Sequence, residues 1–354
     1  MKSLKGLLIL FLLLTGLFYY NSCDETVTNQ IIANLITHGW IVGDSLNGYG
    51  YILRTSDAGD TWTRQGDSSM LANISLTNLA VIDKQTVWIV GKKGTIILTT
   101  NSGESWQKQV TPPTDLTDDL SSISAIDRNI AWISGGSLVL HTVNAGSTWN
   151  RVIISGAPTG INLQGICAAD VNNIWAVGQG NSGSEGYIYY SSDAGINWNR
   201  IIPSVMPPDS ATWIGVKALS VNNVWIHGGV GKLIHTTDSG QTWTHVPTPL
   251  EGSTIGSDLN DMSFYNANTG YFACDQNHII HTTNAGANWS LFIVPSSNEF
   301  LVGVHTISPS TAWFVGQSAS YYQEGKVVYT TNSGADWNLK MLINNDLSKI
   351  AFVK

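Results

Sequence analysis

The octet TSDAGDTW at residues 55–62 decides the fold, because it does not stand alone. It recurs as TTNSGESW (99–106), TVNAGSTW (142–149), SSDAGINW (191–198), TTDSGQTW (236–243), TTNAGANW (282–289) and TTNSGADW (330–337). The closing tryptophans Trp62, Trp106, Trp149, Trp198, Trp243, Trp289 and Trp337 fall 43 to 49 residues apart. A period of that size is one four-stranded blade of a β-propeller. Taken alone, Asp57 resembles a catalytic carboxylate. Across the copies, however, the third position reads Asp57, Asn101, Asn144, Asp193, Asp238, Asn284 and Asn332, and four of the seven are amides. An amide is neither nucleophile nor general base, whereas Asp and Asn both offer an oxygen that accepts backbone N–H bonds in a turn. These residues are therefore expected to be structural. The glycine two positions later suits a positive φ in a tight hairpin, and the tryptophan is expected to close the turn by packing back into its own blade.

Each repeat divides into four strands. Ahead of every octet lies a short apolar run such as GTIILTT or GKLIHTT, and ahead of that an aromatic-led run beginning at Trp40, Trp88, Trp132, Trp175, Trp225, Tyr271 or Trp313. Apolar β-formers bounded by glycine read as strands. A third signature precedes these: LTNLAVID (76), LSSISAID (120), LQGICAAD (163), WIGVKALS (213), LNDMSFYN (259) and LVGVHTIS (301). The copy for the first blade is missing at the front, and LSKIAFVK (347–354) matches it at the far end of the chain. The expected fold is thus all-β: a single seven-bladed propeller over residues 24–354, its four-stranded antiparallel blades closed by the C-terminal strand completing the first blade. Closure of this kind leaves no open edge between first and last blades. QIIANLI (30–36) is the second candidate for that place.

The chain has 354 residues, 43% hydrophobic and 12% charged, a composition suited to a large core and too apolar for a disordered protein. Residues 1–22 combine Lys2 and Lys5 with about a dozen apolar residues and read as an export signal. Cys23, after the small Ser22, resembles the lipid-modified cysteine of bacterial lipoproteins, although Tyr20 and Asn21 depart from that pattern. The expected location is the bacterial cell envelope through a lipid anchor, or the exterior, with no other membrane contact. Without its leader the chain carries a charge of about −10, which disfavours nucleic acid as a partner. Cys167 and Cys274 sit in apolar strand-like runs and read as buried free thiols.

The octet resembles the Asp-box (BNR) repeat, S/T-x-D/N-x-G-x-T/S/N-W, and its seven copies cover nearly the whole exported chain. That repeat occurs in sialidases, tandem-propeller xyloglucanases, sortilin-like receptors and photosystem II stability/assembly factor-like proteins. The W-I-V-G … G-x-I … T-T-D-x-G-x-T-W layout is most similar to the last group, which implies a seven-bladed, non-enzymatic propeller. A sialidase is expected to converge three arginines on the propeller axis. Here Arg64, Arg151 and Arg200 follow octet tryptophans on outer strands, Arg54 precedes a box, and Arg128 lies in a turn. A glycosidase needs a facing pair of carboxylates. Asp44, Glu185, Asp209, Asp258, Asp261 and Glu324 are read as solvated loop acids that no spacing pairs. His235 and His281 occupy equivalent strands, which predicts blade packing. No cofactor motif or metal spacing is present, and no cofactor is expected.

The octets should share one face with the short first-to-second-strand turns, leaving the other face to variable loops. There the second-to-third-strand connection is tight in blade two (GKKG, 91–94) and long in blades one (43–50), four (178–186) and seven (316–325). Blades seven and one are neighbours, so Tyr49, Tyr321 and Tyr322 are the candidate ligand-binding patch. The expected function is a monomeric, non-catalytic binding propeller that takes a protein or glycan on that face. The alternative is a glycoside hydrolase of the Asp-box type.

Overall fold

The computed structural model describes residues 37–45, 49–67, 69–110, 118–181, 185–205, 212–253, 258–294, 299–318 and 325–353. They form seven four-stranded antiparallel sheets arranged as a propeller. Blade two is representative: Leu76–Val81 is innermost, followed by Val87–Gly91, Thr95–Thr99 and Gln107–Lys108 at the rim. In blade one the innermost strand is Asn345–Phe352, paired antiparallel with Gly39–Ser45. The C-terminal strand therefore closes the ring. Residues 30–36 lie outside the described residues.

The core is not within the blades but between them. Seven separate apolar clusters each join residues of two adjacent blades, as where Trp88 and Val90 of blade two meet Ile133 and Trp149 of blade three. A second strand such as Val87–Gly91 is covered on both faces by its neighbours, which is why it is buried at every position and reads as a continuous apolar run. The outermost strands face solvent and are only two to six residues long. The glycine ending W-I-V-G has a steric reason: a Cβ on Gly91 would collide with the carbonyl oxygen of Ser75 in the approach to the inner strand.

The inner strands carry a regular irregularity. Their pairing with the second strand shifts register between Leu76 and Asn78, Leu163 and Gly165, Trp213 and Gly215, Leu259 and Asp261, and Leu301 and Gly303. The bulge inserts one extra residue after the leading Leu or Trp. Beyond it, the third and fifth residues of the signature line a central channel, while the fourth enters the cluster shared with the preceding blade.

Candidate functional site: boxes, axial channel and loop face

All seven boxes use one hydrogen-bond scheme. In the first, Thr55 Oγ1 donates to Asp57 Oδ1 (2.7 Å) and accepts from Gly59 N–H (2.9 Å), and Asp57 Oδ1 also accepts from Thr61 N–H (2.8 Å). The Asn boxes repeat it, with Gly146 N–H on Thr142 Oγ1 and Thr148 N–H on Asn144 Oδ1. The remaining side-chain atom adapts to its partner. Thr61 donates its hydroxyl to Asp57 Oδ2, whereas Asn144 Nδ2 donates to the hydroxyl of Thr148 and Asn332 Nδ2 to the carboxylate of Asp336. These bonds, led by the Thr61 hydroxyl, hold the Asp57 carboxyl down at about 2.

Two features of the box were not read from the sequence. The fourth residue also takes a left-handed conformation, from φ 54° at Ala285 to 63° at Ser102. That turns its N–H onto the first-to-second-strand turn of the same blade, as in Ser102 N–H to Gln85 O (3.0 Å) and Ala194 N–H to Asn172 O (3.0 Å). In addition, the box tryptophan does more than pack back into its own blade, as Trp289 does on Phe272 and Trp337 on Phe314. Trp149 meets Trp88 edge-on at 5.5 Å, Trp198 meets Trp132 at 6.3 Å, and Trp243 meets Trp175 at 5.7 Å, each partner lying in the preceding blade. The box glycine abuts the same partner, since a Cβ on Gly240 would stand 2.5 Å from Trp175. The octet is therefore a staple within a hairpin and a clasp between blades.

The axial channel has a volume of about 680 Å³ and is walled by the inner strands of all seven blades. Its inner edges present backbone N–H groups without a neighbouring strand, a situation that must be satisfied by other partners. Side chains of the preceding blade do so. Ser122 and Ser124 accept from Ile166 and Ala168, Cys167 Sγ from Ala218, and Asp261 and Ser263 from Val304 and Thr306.

Asp261 is not a solvated loop acid, and that reading is corrected. Its side chain is 13% exposed, and its second oxygen pairs at 2.6 Å with Lys349 of blade one, reaching past the bare Cα of Gly303 in blade seven. Among the described lining residues it is the channel's single carboxylate. The other acids are also engaged: Glu185 holds Arg200 and Tyr187, Asp258 accepts from Val230 N–H, and Asp44 accepts from Ser75 Oγ. Asp44 also faces Asp346 across the closing strand pair, and burial followed by the charge of Asp44 pushes the Asp346 carboxyl up. Asp209 and Glu324 lie outside the described residues.

His235 and His281 stack flat on Trp225 and Tyr271 at 3.8 and 4.0 Å, confirming blade packing. Burial lowers both imidazoles to about 4. Cys167 and Cys274 are buried free thiols. Arg64, Arg151 and Arg200 lie on the rim strands Thr63–Gln65, Asn150–Val152 and Asn199–Ile201.

On the face opposite the boxes, the blade-to-blade connections pack against the second-to-third-strand turns, as where Gly94 N–H donates to Asp118 O and Thr248 Oγ1 to Gly231 O. Tyr49 stands here, 38% exposed, bridged through its backbone to Ala72. Tyr321, Tyr322 and Cys23 lie outside the described residues, so of the aromatic patch only Tyr49 is placed.

With this geometry in hand, comparison with known proteins is informative. A family model described as photosynthesis system II assembly factor YCF48 matches residues 24–131 and 68–208, together more than half of the chain. The chain belongs to that family. Among solved structures, YCF48 from Cyanidioschyzon merolae is similar at 16% identity and a TM-score of 0.61, covering 84% of this chain and 97% of that one. A YCF48 bound to D1 peptide shares 18% identity over 69% of this chain and 89% of that one, with a TM-score of 0.42. The GH74 xyloglucanase from Xanthomonas campestris shares 12% identity at a TM-score of 0.54, covering 84% of this chain and 58% of that one. These identities carry the fold alone. The sequence matches none of the curated proteins.

Proposed function

We propose that the chain is a non-catalytic binding and scaffold propeller that recognises a protein partner through the loop face opposite its boxes. The observation that carries this reading is the difference between the two faces. One consists of seven near-identical hairpins, each locked by a backbone bond to the segment that leads into its blade's second strand. The other bears connections whose lengths differ from blade to blade, on a scaffold held rigid by seven inter-blade clusters. Variable loops on a rigid frame are the usual place for recognition. The family's description as an assembly factor supports a protein as the partner class. The channel supports a non-catalytic role, because its single described carboxylate is occupied by Lys349 and Val304 and faces no second one.

In the same reading, residues 1–22 export the chain and Cys23 tethers it to the cell envelope by a lipid. The test is capture of the partner from the envelope of the source cells with the tethered protein, compared with the Tyr49→Ala and the double Tyr321→Ala, Tyr322→Ala variants. Capture should weaken by about tenfold or more while thermal stability stays unchanged. Undiminished capture overturns the tyrosine patch, and binding to glycans with no protein captured overturns the partner class.

A further inference from the structure

The wall of the channel between blades five and six brings Lys217 and His227 together with the inner edge of blade six. Between blades three and four and between blades six and seven, side chains at the third and fifth inner-strand positions accept the edge N–H groups of the next blade, as Asp261 and Ser263 do for Val304 and Thr306. Met262 and Phe264 hold the same register in blade six, pairing with Phe272 and Gly270 as Val304 and Thr306 pair with Phe314 and Ala312. Their neighbours in blade five are Gly215, which has no side chain, and Lys217, which has no acceptor. The edge N–H of Met262, a lining residue, is thus left beside an ammonium group.

Lys217 lines the channel and has no carboxylate partner among the described residues, since both oxygens of Asp261 are taken by Lys349 and Val304. A fourth group completes the wall. His227, directly paired with Gly215, is 2% exposed yet lines the channel. Its Nδ1 lies 2.6 Å from the carbonyl oxygen of Leu259, and a carbonyl only accepts, so Nδ1 carries the hydrogen. Burial, partly offset by the charge of Asp261, lowers the imidazole to about 4 and keeps it neutral, leaving a lone pair on Nε2. That nitrogen lies over the bare Cα of Gly215, where a Cβ would strike it, and has no hydrogen-bond partner among the described residues.

One cation, one backbone donor and one buried acceptor match a ligand with a single negative charge and an adjacent hydroxyl. We propose that this wall binds a small hydroxycarboxylate, its carboxylate held by Lys217 Nζ and the N–H of Met262, and its hydroxyl donating to His227 Nε2. Lys217, the lining ammonium without a carboxylate partner among the described residues, favours a monoanion over a phosphate dianion, and the small lining residues Ala80, Ser124, Ser263 and Ala351 leave the channel open. This site is independent of the loop face.

Calorimetric titration of the full chain with D-glucuronate, acetate and inorganic phosphate tests it. Glucuronate should bind saturably, acetate about fivefold more weakly for want of the hydroxyl, and Lys217→Met should weaken glucuronate by at least about tenfold. Lys217 makes no side-chain hydrogen bond or ion pair among the described residues, so the variant should melt at the parent temperature, and the loss then reports the site. Absence of saturable glucuronate binding, unchanged binding by Lys217→Met, or tighter binding of phosphate overturns the proposal.

Discussion

At the scale of single residues, the box separates acceptor chemistry from charge. Asp57 and Asn144 make the same bonds to the first and seventh residues of their octets, and only the direction of the last hydrogen bond changes. A Thr hydroxyl serves either way, so Asp57→Asn should fold normally. It should, however, alter the acid limb of stability. The folded Asp57 carboxyl lies at about 2 against 3.8 when unperturbed, so the unfolded chain takes up the proton first. The carboxylate's contribution is complete above the unfolded value and is lost as pH falls through the folded one. Denaturant midpoints measured between pH 4 and about 2 should fall less steeply for Asp57→Asn than for the parent. Identical slopes would show that the carboxylate bonds do not persist in solution.

At the scale of elements, the flat partner laid on the second-strand aromatic is interchangeable. His235 covers Trp225 as Tyr190 covers Trp175 and Tyr329 covers Trp313, all at about 4 Å in register-paired positions. The histidines add an acid liability. Burial keeps His235, His281 and His227 neutral to about 4, so below the ordinary value of 6.5 the unfolded state binds more protons and stability declines. His235→Tyr should keep the stack and flatten the decline in melting temperature between pH 6.5 and about 4. How much of this was legible is instructive. Asp261 and Ser263 alternate on the inner strand Leu259–Phe264 and so share one side of it. That side becomes a channel wall only when seven inner strands are brought into a ring, which is why Asp261 read as a loop acid.

At the scale of the molecule, the fold is a ring held by seven interfaces, so its weakest covalent point is the closure. Asn345–Phe352 supplies the inner strand of blade one, and Leu347, Ile350 and Phe352 enter the cluster between blades seven and one. Deleting residues 345–354 removes that cluster's inner half and exposes the edge of Gly39–Ser45, an unpaired template for other chains. The truncated chain should be aggregated or unfolded by size-exclusion chromatography and circular dichroism at temperatures where the parent is a folded species. A monomeric, native-like truncation would show that another segment fills the place. The proposed recognition face belongs to this scale too, because blades seven and one become neighbours only once the ring closes.

The sequence by itself determined the blade count, the four-strand blade, the closing strand and the structural role of Asp57, because each is written in a local pattern repeated often enough to compare. Only the tertiary structure decided where the box tryptophans go, that Asp261 faces Lys349 across a glycine, and that Lys217 and His227 share one wall. The first two relations join residues of different blades, up to 88 positions apart for Asp261 and Lys349, and the third brings two strands of one blade to the same channel wall. A repeat specifies its own turn and strands, but the contacts around the axis arise from packing seven copies whose few departures from the pattern meet only in space.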